Sequence, residues 1–518
     1  MNGNPPKPPR RDLGYKILMG LLCLALIIFF AVLVLDFSGQ NSLARYEQQW
    51  EAKGEHFDFA SFVPQPVPDD QNFALTPIVA SCYESKLDKN GHRVVPQKTD
   101  DGNRLKMRID SSEFEWDTST NTGNWATGIK ANLKGWQLYY RELAAKTNEF
   151  PIPPQMQSPA ADVLLALGKY DAAIKELRQA AALPDSRFPL NYDTEFPAEI
   201  LLPHLAALKS CSLALQLRAI AELQNGQSDR ALADVKLMLR LVESVRTEPF
   251  LISDLVRIAM LNITLQPVWE GLQDHEWTDA QLMELEQELA RLDFLADYEF
   301  SMRGERASAM ADIEYMRHTR KIYLLFESEN TTPGIIQAAY HLVPNSVFYQ
   351  NELAVARAQQ EWFLPIVDVG RHSISPAQAT LAQNKVEKLR SPWSPNNVIA
   401  AMLLPGLAGY AKKCGYEQSV VDMARIACAL ERCRLAQGAY PETLDALAPR
   451  FITSLPHDVV GGQPLIYRRT DDGRFALYSV GWNGTDDGGK VVLRENSKVT
   501  IDYDQGDWVW AGQITGGK

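Results

Sequence analysis

Residues 17–35 read ILMGLLCLALIIFFAVLVL, an unbroken apolar run without a charged residue. Nineteen residues of α-helix rise ~28 Å, which is close to the thickness of the hydrocarbon layer of a bilayer. Four Lys or Arg residues lie within the sixteen residues before the run, and Asp36 follows it. Because positive charge favours the cytoplasmic side, the sequence predicts one transmembrane helix with a cytoplasmic tail (1–16) and the rest of the chain outside.

A cleaved signal peptide is the alternative interpretation of this run. Ser42-Leu43-Ala44 offers small residues of the kind found at a cleavage site. The apolar run is longer than the ~7–15 residues of a signal peptide, however, and the tripeptide lies well beyond its end. Arg10-Arg11 resembles part of a twin-arginine signal, but paired arginines before an apolar helix are more often topology determinants. We therefore expect an uncleaved anchor.

The composition of the whole chain is that of a folded, acidic protein. Of the 518 residues, 46% are apolar and 22% charged, which allows about two to four domains with sizeable cores. The formal net charge of -12 and the pI near 5.3 argue against nucleic acid as a partner, because phosphate binding needs clustered Lys and Arg. The cysteines form no C-x-x-C pair, and we expect buried free thiols rather than a disulfide framework.

Residues 36–134 are the least regular part of the exported region. The segment 62–70 (FVPQPVPDD) is proline-rich and typical of a linker. Residues 104–109 form a short β-like run between polar segments. The sequence predicts an irregular, partly extended region that packs on the rest of the chain.

Residues 135–400 carry a helical pattern. Apolar positions recur on both sides of Gly168, and the string 165–177 (LALGKYDAAIKEL) resembles the turn of a tetratricopeptide unit. A similar string surrounds Gly226, but the two glycines are too far apart for a regular array. Helical hairpins in an ordinary bundle are therefore expected. Pro, Gly and Ser breaks predict connectors over 329–350 and 369–396.

The C-terminal residues give the most specific pattern. Residues 420–437 predict an amphipathic helix with one apolar stripe, and Gly438 is placed to end it. The hairpin signal DDG joins two β-like runs further on. The pieces that follow the helix are, in order, GAYP (438–441), LPHD (455–458), DDG (471–473), the loop GWNGTDDGG (481–489) and DWVW (507–510).

This order of pieces resembles the globular head of type II secretion pseudopilins, most closely the major, G-type one, over residues 414–512. The resemblance implies a C-terminal α+β pilin-like head, so the expected fold is mainly α with such a head and a single N-terminal transmembrane helix. We expect the fragment 414–518 to fold alone, since about a hundred residues can form a marginally stable domain.

The chain also departs from those pseudopilins. No Gly-Phe-x-x-x-Glu processing site precedes the anchor, and the helical region separates the anchor from the head. Prepilin processing and assembly into a pseudopilus are therefore not implied. We expect a bacterial family of inner-membrane proteins with this layout.

The same resemblance implies a calcium site. In G-type pseudopilins the loop after the Ser-x-Gly strand binds calcium through carboxylates and backbone carbonyls, and calcium takes about 6–8 oxygen ligands. Asn483-Gly484 stands where the family has Asp-Gly, which removes one charge, and an ordinary turn is the alternative. The matching residues are Asn483, Asp486 and Asp487 in the loop and Asp502, Asp504 and Asp507 in the tail.

No sequence motif of a catalytic site is present. The chain lacks the G-x-S-x-G, P-loop, G-x-G-x-x-G and H-E-x-x-H patterns, and its histidines have no ligand spacing. Glu305 and Glu314 lie in a charged stretch, 301–321, that predicts a solvated helix face rather than a catalytic pair. His457-Asp458 lies in a turn that the resemblance explains.

We therefore predict a non-catalytic, membrane-anchored envelope protein that binds or positions other proteins, with a link to a secretion or pilus-like system. An envelope hydrolase with a site assembled from dispersed residues is the alternative, since catalytic triads are recognised by geometry and not by sequence position. Such a site would show a pocket with convergent Asp, Glu or His side chains of shifted pKa. A structural subunit of a secretion-related assembly is the third class.

Overall fold

The structure, a computed structural model, describes residues 11–83, 86–87, 93–94, 103–110, 120–325, 340–389, 395–407, 409–497 and 499–511. It is mainly helical with a few small antiparallel sheets, as the sequence predicts. The α-helices are α1 (Arg11–Glu51), α2 (Pro77–Ala80), α3 (Leu133–Ala144), α4 (Pro159–Leu167), α5 (Asp171–Ala181), α6 (Pro203–Gln224), α7 (Ser228–Ser244), α8 (Leu251–Gln273), α9 (Asp279–Leu289), α10 (Phe294–Thr319), α11 (Asn345–Ala358), α12 (Pro376–Leu389), α13 (Val398–Leu403) and α14 (Tyr410–Gln437). The strands are β1 (Lys86–Leu87), β2 (Arg93–Val94), β3 (Val367–Asp368), β4 (Ser373–Ile374), β5 (Ile466–Arg469), β6 (Phe475–Ser479), β7 (Val491–Leu493), β8 (Ile501–Gly506) and β9 (Trp508–Trp510).

Helix α1 runs without a break from the apolar run into the body of the protein. Its side chains are almost all exposed over 14–35, whereas Leu43 and Tyr46 are buried. By length and composition, two of the described helices could cross a membrane, α1 and α8. Helix α8 lies mostly inside the core, with 61% of its most apolar window buried. Residues 36–51, placed by the sequence at the start of the irregular region, continue α1, and they include 43–50, where the sequence predicts that the anchor continues as a short helix.

Helix α1 lies against α11 just where its apolar run ends. The Asp36 carboxylate accepts a hydrogen bond from the backbone N–H of Ser346 (2.6 Å), in the first turn of α11. Pro344 is the N-cap of that helix and offers no side-chain acceptor. Asp36 therefore caps α11 from a different helix. A Cβ placed on Gly39 would already touch Ser346 and Tyr349 at 3.4 Å, so the two helices lie in close contact.

The chain that follows α1 is fastened to α10 by a cluster of ion pairs. The Glu55 carboxylate accepts hydrogen bonds from Arg303 (3.0 Å) and Arg306 (3.0 Å). Arg306 is fully buried and also donates to the carbonyl of His56 (2.7 Å). Burial alone would raise the pKa of Glu55, but hydrogen bonds from the two guanidinium groups lower it to about 2. Glu55 thus holds this segment against α10 as a charged carboxylate.

Only part of the charged stretch 301–321 is the solvated face that the sequence predicts. Glu314 pairs with Arg317 and His318 on the surface of α10, as expected. Arg306 is buried, and burial raises the pKa of Glu305. The solvated-face prediction is wrong for these two residues, because α10 is packed against α8, α11, α14 and the chain that follows α1.

Residues 103–110, all described, form turns, bends and irregular backbone and belong to no strand. Leu105, Met107 and Ile109 alternate inward and are buried, which produces the β-like pattern. The predicted β run is nevertheless wrong, because side chains of the helical region supply the hydrogen bonds that a neighbouring strand would supply. Three hydroxyl groups donate to its carbonyls: Tyr140 to Ile109 (2.9 Å), Tyr170 to Arg108 (2.7 Å) and Ser210 to Met107 (2.9 Å).

The helical region consists of hairpins whose turns the sequence locates. Helices α4 and α5 flank Gly168, and α6 and α7 flank Gly226, whose φ of +70° favours glycine. Thr278 caps α9 through a capping box with Gln281. The two predicted connectors are partly helical, since α11 begins within 329–350 and α12 lies within 369–396.

Helix α8 carries a polar stripe on an otherwise apolar surface: Asp254, Arg257, Asn262, Gln266 and Glu270. Arg257 pairs with Asp254 (2.7 Å) and with Asp297 of α10 (2.9 Å). Asn262 donates to Glu417 of α14 (2.8 Å), and the last two residues bond to the segment before α3. Because a buried polar group without a partner costs free energy, these bonds fix α8 against α10, α14 and that segment.

Helix α14 is buried on nearly all sides. The predicted apolar stripe, which includes Met423 and Leu430, is fully buried, but so are Glu417 and Asp422. Helices α8, α9 and α10 contact it, and so does the sheet in which β6 pairs with both β5 and β9. The amphipathic pattern therefore underestimates its burial. The predicted helix end at Gly438 and the β5–β6 hairpin across 471–473 are confirmed.

We expect the fragment 414–518 not to fold alone, contrary to the expectation from the resemblance. It would expose the face of α14 that packs on α8, α9 and α10, and would remove the partners of Glu417 (Asn262) and of Arg425 (Glu286, 3.0 Å). Thermal unfolding followed by circular dichroism should show a cooperative transition for 36–518 only. A cooperative transition of the short fragment would contradict the shared core.

Candidate functional site

An open cleft of about 720 Å³, lined mainly by polar side chains, lies in the described helical region. One wall is formed by the starts of α3 and α4, with Lys130, Lys134 and Ser158. The opposite wall is formed by the ends of α6 and α8, with Gln224, Asp274 and Glu276. We call this cavity the polar cleft. Its volume lies within the ~300–1,000 Å³ that is usual for ligand sites.

The floor of the polar cleft is the carboxylate of Glu270. Its Oε1 accepts hydrogen bonds from the N–H of Ala131 (2.9 Å) and from Gln266 (2.7 Å). Gln266 in turn accepts from the N–H of Trp125 (2.5 Å) and donates to the carbonyl of Ile129 (3.1 Å). Burial raises the pKa of Glu270 to about 7. The polar stripe of α8 therefore both holds this segment and places a titratable group in the polar cleft.

The two walls of the polar cleft carry opposite charge. Lys130 and Lys134 lie at the positive N-terminal end of α3, and Asp274 and Glu276 follow the negative C-terminal end of α8. Charges in these places do not stabilise helices, for which the reverse arrangement is favourable. Lys130 and Asp274 pair across the cleft, and Gln224 donates to Asp274 (3.0 Å). One wall of the polar cleft therefore carries positive charge and the opposite wall carries negative charge.

A second titratable cluster joins the end of α8 to the end of α14. His275 Nδ1 lies 2.8 Å from Glu431 Oε1, and Tyr440 donates to Glu431 Oε2 (2.8 Å). The cavity beside it holds about 40 Å³, which is room for water and not for a substrate. This cluster fastens the GAYP turn to α14.

A third cluster, His204, Glu248 and Ser253, has the residue types of a hydrolytic triad but not its order. Glu248 lies in the middle, 2.7 Å from His204 Nε2, and accepts the hydroxyl hydrogen bond of Ser253 (2.5 Å). A triad needs the histidine between the nucleophile and the carboxylate. All three side chains are also buried. The cluster is therefore a structural part of the core and not a hydrolytic triad.

Asp458 of the LPHD turn is likewise a structural group. Its buried carboxylate accepts hydrogen bonds from the N–H groups of Val460 (2.9 Å) and Val480 (3.1 Å) and from Ser479 (2.8 Å). Burial raises the pKa of Asp458. The turn is tied to the end of β6, which explains an aspartate at this position without a general-base role.

The six residues predicted to bind calcium are spread over the loop before β7, strand β8, and the position between β8 and β9. Among the described residues, no group of three or more Asp, Glu, His or Cys side chains is arranged to hold a metal ion. Calcium binding stays a prediction. Five of the six have these partners: Asn483 with Asp487 (2.9 Å), Asp486 with Tyr478 (3.1 Å), Asp502 with the N–H of Asp504 (2.9 Å), and Asp504 with Lys412.

Asp507, the sixth of the residues predicted to bind calcium, holds the end of the loop through its carboxylate. Its buried carboxylate accepts hydrogen bonds from the backbone N–H groups of Asp487 (3.2 Å), Gly489 (2.7 Å) and Lys490 (3.2 Å). Burial raises its pKa in spite of these bonds. The geometry favours a carboxylate that clamps a turn, because its oxygens already accept three N–H groups.

Sequence reasoning missed the polar cleft, whose residues come from four helices. One signal was present in the sequence: polar residues recur about every four positions in the apolar stretch 251–273. Polar residues at these positions of an otherwise apolar, buried helix need buried partners or a cavity.

Glu270→Gln should change the pH dependence of stability. An unfolded glutamate titrates near ~4.3, so the stability contributed by the protonated Glu270 is complete below that pH and is lost as pH rises through about 7. The variant cannot ionise. Its free energy of unfolding should gain about 2–3 kcal/mol relative to wild type between pH 5 and pH 8, measured by chemical denaturation. Glu276→Gln, an exposed rim residue, is the control, and an equal gain there would contradict the account.

Asp507→Ala should lower the free energy of unfolding by about 1–3 kcal/mol, because three N–H groups lose their acceptor. Under the clamp geometry the loss should be equal in millimolar calcium and in chelator. Asp502→Ala, which removes one exposed acceptor, is the matched control. A higher melting temperature of the wild type in calcium that Asp487→Ala abolishes would instead establish the predicted ion site.

Comparisons with protein-family models, with curated proteins and with solved structures gave no match for this chain. The resemblance of residues 414–512 to pseudopilin heads, and of 165–177 to a tetratricopeptide turn, therefore stays a prediction.

Proposed function

We propose that this chain is a non-catalytic, membrane-anchored envelope protein that binds and positions other proteins. Residues 17–35 cross the bacterial inner membrane once, residues 1–16 lie in the cytoplasm, and the rest, the ectodomain, lies outside. The observation that carries the proposal is the unbroken helix α1, which is docked on α11 from Asp36 onward. Such an attachment holds the ectodomain at a set height and orientation, which suits a protein that places partners relative to the membrane.

The polar cleft is the surface that we assign to the partner. Its volume of about 720 Å³ suits a few residues of an extended segment. The lysine wall suits an acidic group of that segment, and the wall with Asp274 and Glu276 suits a basic one. The resemblance of the C-terminal residues to pseudopilin heads supports a link to a secretion or pilus-like system.

An envelope hydrolase is the second candidate, and one observation favours it. Glu270, with its pKa raised to about 7, lies in an open cleft near Asp274, as a general acid or base would. Against it, Oε1 of Glu270 is occupied by the N–H of Ala131 and by Gln266, which gives the carboxylate a structural role.

The test is photo-crosslinking in intact cells from Gln224, an exposed residue at the mouth of the polar cleft. We expect discrete adducts, and Lys134→Glu should lower their yield several-fold because it reverses the charge of one wall. Lys175→Glu makes the same change of net charge on the exposed surface of α5 and should leave the yield unchanged. Equal yields from both variants would contradict the assignment of the polar cleft to a partner.

The same cells separate the two candidate functions. If the hydrolase is correct, Glu270→Gln abolishes the protein's cellular role while the adducts from Gln224 persist. If the binding function is correct, the protein loses its cellular role only in variants that also lose the adducts from Gln224.

A further inference from the structure

A second large cavity, of about 700 Å³, lies beside α1 and α11 and is lined mainly by apolar side chains. We call it the apolar pocket. Several of its side chains are strongly exposed, with Leu342 at 83%, Val398 at 47% and Met402 at 42%. Ile399 and Phe348, which also line it, are buried beneath them. A contiguous apolar surface of this kind marks an interaction site or a membrane contact.

The position of the apolar pocket indicates what fills it. Leu35, the last residue of the apolar run, is part of its lining. Asp36, the next residue, caps α11 at Ser346, and Pro344 and Val347 on either side of that serine line the pocket too. If 17–35 spans the hydrocarbon layer, Leu35 lies at its outer boundary. The apolar pocket then lies at the level of the lipids that surround α1.

The docking of α1 keeps the apolar pocket at that level. Helix α1 contacts α11 from Asp36 and Gly39 to Leu43 and Tyr46, and Leu43 and Tyr46 pack with Leu353 of α11 in a small core of their own. The ectodomain therefore cannot lift the pocket away from the bilayer without unpacking α1.

Arg320 and Asp36 lie near each other at the rim of the apolar pocket. Arg320 donates to the carbonyl of Val343 (2.9 Å) and to Asn345 (2.5 Å), and its guanidinium lies over the Phe348 ring, 5.2 Å from the centroid. Asp36 is close enough to interact with this guanidinium. None of the described residues that line the apolar pocket is charged, so the attraction that we infer comes from apolar contact and not from headgroup charge.

We propose that the apolar pocket takes the acyl chains of phospholipids from the outer leaflet of the membrane that α1 crosses, so that the ectodomain is seated on the bilayer. The inference rests on the proposed membrane anchoring. Leu342, Val398 and Met402 are then covered by lipid in the intact protein, which accounts for apolar side chains on this face. Binding requires no anionic lipid.

The test uses the full chain reconstituted in vesicles whose lipids carry a quencher on the acyl chain. A fluorophore is attached to a single cysteine at position 342, 402, 30 or 165 in a Cys23→Ser background; the other described cysteines are buried. Phe30 lies in the apolar run, and Leu165 is an exposed apolar residue of α4 outside the pocket. We expect strong quenching at 342, 402 and 30, none at 165, and equal values in zwitterionic and anionic vesicles.

Each other outcome has one meaning. Quenching at 30 but not at 342 or 402 overturns the apolar pocket as a lipid site and leaves the anchor intact. No quenching at any position overturns the proposed membrane anchoring itself. Quenching at 342 that needs anionic lipid overturns the apolar basis of the contact. Met402→Asp should lower quenching at 342 at least several-fold while quenching at 30 and the melting temperature stay unchanged, since that side chain is exposed.

Discussion

The hydrogen bond from the Ser346 N–H to the Asp36 carboxylate marks the point where an exposed apolar helix becomes part of the folded protein. Helix α1 has no break there, so the apolar run and the segment docked on α11 form one continuous helix. The ion pairs of Glu55 with Arg303 and Arg306 then fasten the following chain to α10. The placement of the polar cleft and of the apolar pocket relative to a membrane both depend on this one attachment.

Within the folded part of the chain that follows α1, the polar stripe of α8 has a comparable role. Its residues find partners on three other parts of the fold: Asp297 on α10, Glu417 on α14 and the backbone of the segment before α3. Buried polar groups of this kind add little net stability, but an incorrect packing would leave them without partners. The stripe therefore specifies how the helical region and the C-terminal sheet meet in one core, and its last residue, Glu270, forms the floor of the polar cleft.

The sequence predicted what local chemistry determines. The apolar run, the helix end at Gly438 and the β5–β6 hairpin follow from length, a glycine and a turn signal, and the structure has all three. The sequence did not predict the features that depend on contacts between residues far apart in the chain. Residues 104–109 alternate like a strand, yet hydroxyls from three distant positions satisfy their carbonyls. The calcium prediction, which stays untested, could not show that the Asp507 carboxylate accepts three backbone N–H groups. The polar cleft forms only where four helices meet, so no single stretch of sequence reveals it.

The continuity of α1 from its apolar run into the docked segment is tested most directly by pulsed electron spin resonance. Spin labels at Phe30 and Glu51, in a Cys23→Ser background, would be placed in the full-length protein in lipid nanodiscs. An unbroken helix of twenty-one residues between the labels predicts one narrow distance distribution centred near ~32 Å. A broad distribution, or one centred at a clearly shorter distance, would show that the helix breaks where it leaves the bilayer, and would contradict a fixed attachment of the ectodomain.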